Sequence, residues 1–287
     1  MASPVATRTT YRYLRISMVA MVALLALSIL VELRTADGRV LESVSAYYYT
    51  PVRAVFVGAL VAIGLSLVSI QGRRGAEDIM LNLAGMLSAV VAFVPAPLTS
   101  TERVSGVDVP RMRVPDEAVP GVENNVTALL LLGAAALAFA CWAAWSDGRP
   151  AARDLAGLVA SGALWAALSL WFWLGPGSFL QGAHYAAAIG LFGLIAAVAV
   201  TSSRRVRLRE ETPGLAPSQY GYGYAMVAAA MVATVLAAAV LAVLDQAGAP
   251  VVGAWVFVVE TVLLTLFTAF WLLQTAENWR DGVPQDT

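Results

Sequence analysis

The 287-residue chain has no lysine, one cysteine and one histidine, and only 13% of its residues are charged. Soluble domains carry roughly 25% charged residues, so these few charges cannot cover the surface that a soluble domain of this length would expose. A net charge of −1 gives no global case for nucleic-acid binding. The single cysteine, Cys141, excludes an internal disulfide framework and a thiolate metal cluster, and within its apolar run it reads as a buried thiol. The single histidine, His184, cannot make a zinc site alone, because catalytic zinc usually takes three protein ligands. No nucleophile-elbow, metal-ligand or phosphate-loop motif is present, so neither a metal nor a cofactor is expected and no catalytic residue is named.

What the chain does have is hydrophobic residues, 59% of the total, gathered into runs almost free of charge. Eight runs reach the roughly 20 residues that span a bilayer core, at about 14–33, 53–71, 79–98, 126–145, 155–174, 183–202, 222–244 and 251–274. They are apolar on all faces rather than alternating, which separates them from barrel strands. Over such a length in lipid a helix satisfies its own backbone. The expectation is therefore an all-α, polytopic transmembrane bundle of about eight spans forming a single integral membrane domain over 1–287. The first run is too long for a signal-peptide core of 7–15 residues and reads as a retained span.

With eight spans both tails share one side. That side carries Arg8, Arg12, Arg15, Arg73, Arg74, Arg149, Arg153, Arg204, Arg205, Arg207, Arg209 and Arg280, twelve arginines, against six on the other: Arg34, Arg39, Arg53, Arg103, Arg111 and Arg113. Basic loops stay cytoplasmic, so both termini are expected in the cytoplasm of a bacterial plasma membrane. The polar, proline-rich segment 99–125 is then an extracytoplasmic connector or a lid. Tyr47 to Tyr49, Trp171 to Trp173, Tyr220, Tyr222, Tyr224, Trp145 and Trp279 fall near span ends, where aromatic belts form.

Ionisable groups inside lipid are costly and mark candidate sites. Glu260, ten residues into the eighth run, reads as a proton-handling or cation-binding carboxylate, or as a neutral Glu bonded to a neighbouring helix. His184 reads as a general base or pocket residue, or as an interfacial histidine. The segment ESVSAYYYTPVRAVFVG crowds Ser43, Ser45, Tyr48, Thr50 and Arg53 at one helix start. Arg53 suits a phosphate or carboxylate there, or snorkels to headgroups. Glu77 and Asp78 complement a helix N-terminus. Gln274, Glu277 and Asn278 share a helical face and are expected to lock the last helix to a neighbour. Gly58 and Ala62 have the spacing of close helix packing, and Gly64, Gly85 and Gly190 can serve the same purpose.

By topology Ser45, Tyr48, Arg53, His184 and Glu260 fall in the outer half and form the expected ligand-binding set, lining one outward-facing pocket for a small or lipidic ligand. The other classes compatible with these residues are a transporter or channel using Glu260, a membrane-embedded hydrolase with His184 as base, and a structural or assembly protein. The expected partners are membrane lipids, with no nucleic acid.

The runs SAYYYTPVRAVFVGALVAIGLSL, Glu77-Asp78 with NLAGMLSAVVAFVP, QGAHYAAA and FWLLQTAENW resemble an uncharacterised family of bacterial multi-span membrane proteins over roughly 14–280. That resemblance implies a fold rather than an activity. More distantly the chain is similar to the membrane hydrolase superfamily that includes alkaline ceramidases, which use a Ser, an Asp and three His around zinc. Ser45, Asp78 and His184 follow that order here, but two histidines have no counterpart, and Asp78 is expected on the opposite membrane face from Ser45. The resemblance therefore does not imply zinc hydrolase chemistry for this chain.

Overall fold

The computed structural model describes residues 4–35, 38–70, 75–98, 103–104, 107–108, 113–146, 148, 150–251 and 253–279. The arginines at 73, 74, 111, 149 and 280, which entered the orientation count, lie outside these residues. The described residues form eight α-helices: α1 (Pro4–Thr35), α2 (Arg53–Ser69), α3 (Ala76–Phe93), α4 (Val119–Ser146), α5 (Ala152–Leu174), α6 (Pro176–Val206), α7 (Pro217–Gln246) and α8 (Trp255–Glu277). A short 3-10 helix, Ser45–Tyr49, precedes α2, and the α3–α4 connection holds a two-residue antiparallel pair, β1 (Arg103–Val104) with β2 (Val107–Asp108). Seven of the helices are long and apolar enough to cross a membrane. The eighth, α2, is 17 residues of apolar sequence, about 26 Å at 1.5 Å per residue. The protein is an all-helical, polytopic membrane bundle.

Local chemistry sets the breaks. α3 stops at Pro95-Ala96-Pro97, where the missing N–H groups and the extended conformation forced on Val94 end the helix. Gly175-Pro176 separates α5 from α6, and Pro176 and Pro217 each sit in the first turn of a helix, where no N–H is needed. The Gln219 side chain reaches back to accept from the Ala216 N–H at 2.9 Å. α4 begins seven residues before the apolar run at 126, within the segment expected to be connector.

Six helices close into a ring in the order α1, α2, α3, α6, α7, α8 and back to α1. Neighbours around it are antiparallel. The α4–α5 hairpin packs outside, against α3 and α6. Met18, Leu67, Ile195, Met231, Phe270 and Trp271 fill the interior as buried side chains. At one seam Arg12 donates to the backbone carbonyl of Trp279 and its guanidinium stacks 4.6 Å from the Trp279 ring, joining the first helix to the end of the last. At another, Gly64 and Gly85 let α2 and α3 touch backbone to backbone, and the Ser88 hydroxyl donates to the Leu60 carbonyl at 2.8 Å. Gly190 likewise makes room for Leu87 between α6 and α3.

Several expectations change. Gly58 faces open space, so the Gly58–Ala62 spacing is not a packing seam. Cys141 is exposed, because α4 lies outside the ring with that face toward lipid. Tyr47, Tyr48, Tyr220, Tyr224 and Phe172 are buried rather than part of an aromatic belt. Each has a neighbour inside the bundle, such as Phe179 at 5.2 Å from Phe172.

Candidate functional site

At the face opposite the tails, three backbone features converge. The 43–52 segment is a self-bonded turn: the Ser43 hydroxyl accepts from Ala46 N–H at 2.9 Å, and Thr50 donates to the Tyr47 carbonyl at 2.8 Å. The start of α8 is tied to the same region, since the Phe257 N–H donates to the Glu42 carbonyl at 2.8 Å. The residue before α8, Ala254, holds φ at 56°, in the left-handed region that a Cβ disfavours by about 1–2 kcal/mol. The third feature is the end of α3, where the Val94 carbonyl has no helical donor left and Pro95 offers none.

These features bring Ser45, His184 and Glu260 into one hydrogen-bonded chain. Ser45 Oγ lies 2.8 Å from His184 Nε2 and 2.7 Å from Glu260 Oε1. The Ser45 backbone N–H donates to Glu260 Oε2 at 3.1 Å. His184 Nδ1 lies 2.7 Å from the Val94 carbonyl oxygen. Ser45 and His184 are buried, and Glu260, though partly exposed as a residue, turns its carboxyl end inward onto Ser45.

The proton count of this arrangement is restrictive. A carbonyl only accepts, so His184 Nδ1 carries a proton toward Val94. Ser45 has one hydroxyl proton and two neighbours, the Glu260 carboxyl and His184 Nε2. Both contacts are hydrogen bonds only if one further proton is present. Either Glu260 is protonated and donates to Ser45, which donates to neutral His184, or His184 is doubly protonated and donates to Ser45, which donates to the Glu260 carboxylate. The two states differ by the shift of one proton along each bond.

Arg53 and Tyr48 form a neighbouring pair. Arg53 Nη2 donates to Tyr48 Oη at 2.8 Å, with the guanidinium 4.4 Å from the ring centroid. Arg53 is exposed and its tip reaches toward Gly121 at the start of α4. Tyr48 is buried edge-on to Tyr49, whose hydroxyl donates to the Ala96 carbonyl at 3.0 Å. Burial pushes the Tyr49 phenol pKa well up, with Tyr48 and Tyr185 adding and Arg53 opposing. The 45–49 turn thus presents Ser45 to His184 and Glu260, and Tyr48 to Arg53. Asp78 is far from both. It sits in the first turn of α3, about 24 Å from Val94 at 1.5 Å per residue.

A second polar cluster lies at the tail face. Glu277, fully buried, accepts from Tyr224 Oη at 2.7 Å and from Arg209 at 3.2 Å. Arg205 pairs with Glu77 at 2.7 Å and approaches Glu277 at 3.8 Å. Gln274 donates to Ser202 at 3.1 Å and accepts from Asn278 at 3.1 Å. In the sequence Arg205 and Arg209 are loop charges that vote on orientation. The signal of their pairing is in the pattern of partners: Glu77 and Glu277 each stand near a span end on the side that holds those arginines.

No family model, curated protein or solved structure matches the chain. The fold and site define a multi-pass membrane protein with one polar cluster at each end of a closed helical ring.

Proposed function

We propose that the protein handles a proton at the face opposite its tails, passing it between Glu260 and His184 through the Ser45 hydroxyl. The observation that carries this reading is Ser45 Oγ held 2.7 Å from Glu260 and 2.8 Å from His184. In the forward step Glu260 gives its proton to Ser45 Oγ as Ser45 gives its own to His184 Nε2. The products are a carboxylate, an unchanged serine and an imidazolium, so charge separates by two short hops with no heavy-atom rearrangement. Glu260, the member of the three that is not fully buried as a residue, would be where a proton enters the relay. A transporter or channel that uses Glu260 fits this better than a static ligand pocket, because the three side chains use their bonding capacity on one another. The arginine distribution supports a cytoplasmic tail face, which places the relay on the outer side of a bacterial plasma membrane.

The single histidine makes the test direct. Protein labelled with 15N-histidine gives one imidazole, whose tautomer and charge nitrogen NMR reads in lipid. The expected result is an Nδ1–H tautomer that gains a proton on acidification, with a midpoint that moves in Glu260→Gln and Ser45→Ala. In proteoliposomes carrying an internal pH dye, both variants should lose proton flux. An Nε2–H tautomer, or a titration and flux indifferent to both changes, would overturn the reading.

The Ser45–His184 distance also fits a nucleophile and its base, which keeps a hydrolase as the second reading. Covalent labelling of Ser45 by a fluorophosphonate, abolished by His184→Gln, would favour it.

A further inference from the structure

Between α6 and α7 runs an open groove of about 630 Å³. Its floor and walls are apolar, with Ala225, Ala229, Ala233 and Leu236 along α7 and Val200 on α6. At its tail-face end stand Arg204 and Arg207. We propose that this groove binds an anionic phospholipid, with its phosphate between Arg204 and Arg207 and one acyl chain lying along α7.

Three observations support that occupant. The first is charge. Of the four arginines in this stretch, Arg205 and Arg209 are turned inward onto Glu77 and Glu277. Arg204 and Arg207 are exposed, and among the described residues neither is in an ion pair, although Glu210 and Glu211 follow closely on the chain. An apolar groove crowned by two uncommitted guanidinium groups complements a molecule with an anionic head and an apolar tail.

The second is length. From Ala225 to Leu236 the groove follows α7 for about 16 Å, close to half of the roughly 30 Å hydrocarbon core. An acyl chain of one leaflet fits that depth, whereas a soluble anion would leave the apolar part unused.

The third is the seating of Arg207. Its side chain lies over Gly221, where a Cβ would meet Nε at 2.6 Å and Cγ at 2.7 Å. The buried Ser203 hydroxyl donates to the Gly221 carbonyl at 2.6 Å and pins α6 to α7 at this level. Gly221 thus gives Arg207 a bed at the mouth of the groove.

The test uses the purified full-length protein and native mass spectrometry with added phosphatidylglycerol, phosphatidylcholine or glycerol 3-phosphate. Wild type should retain phosphatidylglycerol in preference to phosphatidylcholine. Arg204→Gln with Arg207→Gln should weaken that retention about twenty-five-fold, about fivefold for each arginine. Ala229→Trp, which fills the groove from an exposed position, should weaken it without touching a charge. Equal retention of the two lipids, unchanged retention in the double variant, or displacement by equimolar glycerol 3-phosphate would each overturn the proposal. Circular dichroism confirms that the variants stay helical.

Discussion

Gly64 and Gly85 meet across the α2–α3 seam so closely that a Cβ on Gly64 would lie 2.8 Å from the Gly85 carbonyl oxygen, and one on Gly85 2.7 Å from that of Gly64. The clash is with backbone, which cannot rotate aside. Alanine at either position should therefore force the helices apart and destabilise the bundle by about 1–3 kcal/mol. Gly58→Ala, into open space on the same helix, should cost nothing. Thermal unfolding in one detergent compares the three, and equal melting temperatures would refute the seam.

Glu260 should separate charge from bonding. Glu260→Gln keeps a carbonyl oxygen for the Ser45 N–H and an amide that donates to Ser45 Oγ, so stability should hold while the relay stops. Glu260→Ala leaves the Ser45 N–H without its acceptor, at a cost of about 1–3 kcal/mol. Melting temperatures of the two variants, compared with proton flux, distinguish the effects.

Glu277→Ala should be the most damaging single change at the tail face. It removes the acceptor of Tyr224 and the carboxylate beside Arg205 and Arg209 from a buried site, a loss of about 3–5 kcal/mol. Glu277→Gln, which keeps an acceptor, should lose less. Yield of monodisperse protein and its melting temperature measure both.

Tyr49 predicts an alkaline limb. Burial raises its phenol pKa, so the folded state keeps a proton that the unfolded chain releases near pH 10. The unfolded state then binds fewer protons, and stability falls as pH rises above that point. Tyr49→Phe should flatten the decline in melting temperature above pH 10 while costing about 0.5–1.5 kcal/mol at neutral pH through the lost bond to Ala96.

The helices were legible because lipid makes a blunt demand. Runs of about twenty apolar residues bounded by Arg, Gly and Pro leave little freedom, and each of the eight runs centres on one helix, although that at 79–98 continues past the end of α3 at Phe93 and that at 251–274 starts before α8 at Trp255. Which helices touch was not legible, since nothing in an Ala- and Val-rich surface says that α3 packs far more extensively on α6 than on α4. Ser45, His184 and Glu260 stood out singly as polar groups at unusual depth. Their bonds to one another depend on α2, α6 and α8 being placed by the ring, and on the Val94 carbonyl, which carries no side-chain signal. Tyr224 was misread for the opposite reason: an aromatic near a span end suits a belt, and only the position of Glu277 turns it inward.

The ring closes only where α8 meets α1, through contacts such as that of Arg12 with Trp279, 267 positions apart. α8 also carries one carboxylate to each polar cluster, Glu260 at one face and Glu277 at the other. Until α8 is in place Ser45 lacks its acid and Tyr224 its acceptor, Arg205 keeps Glu77 alone, and α1 has one flank open. A single late insertion resolves all of these together. α8 thus completes the ring and both polar clusters at once, so a chain lacking it would leave Ser45 and Tyr224 short of their carboxylates at opposite ends of the bundle.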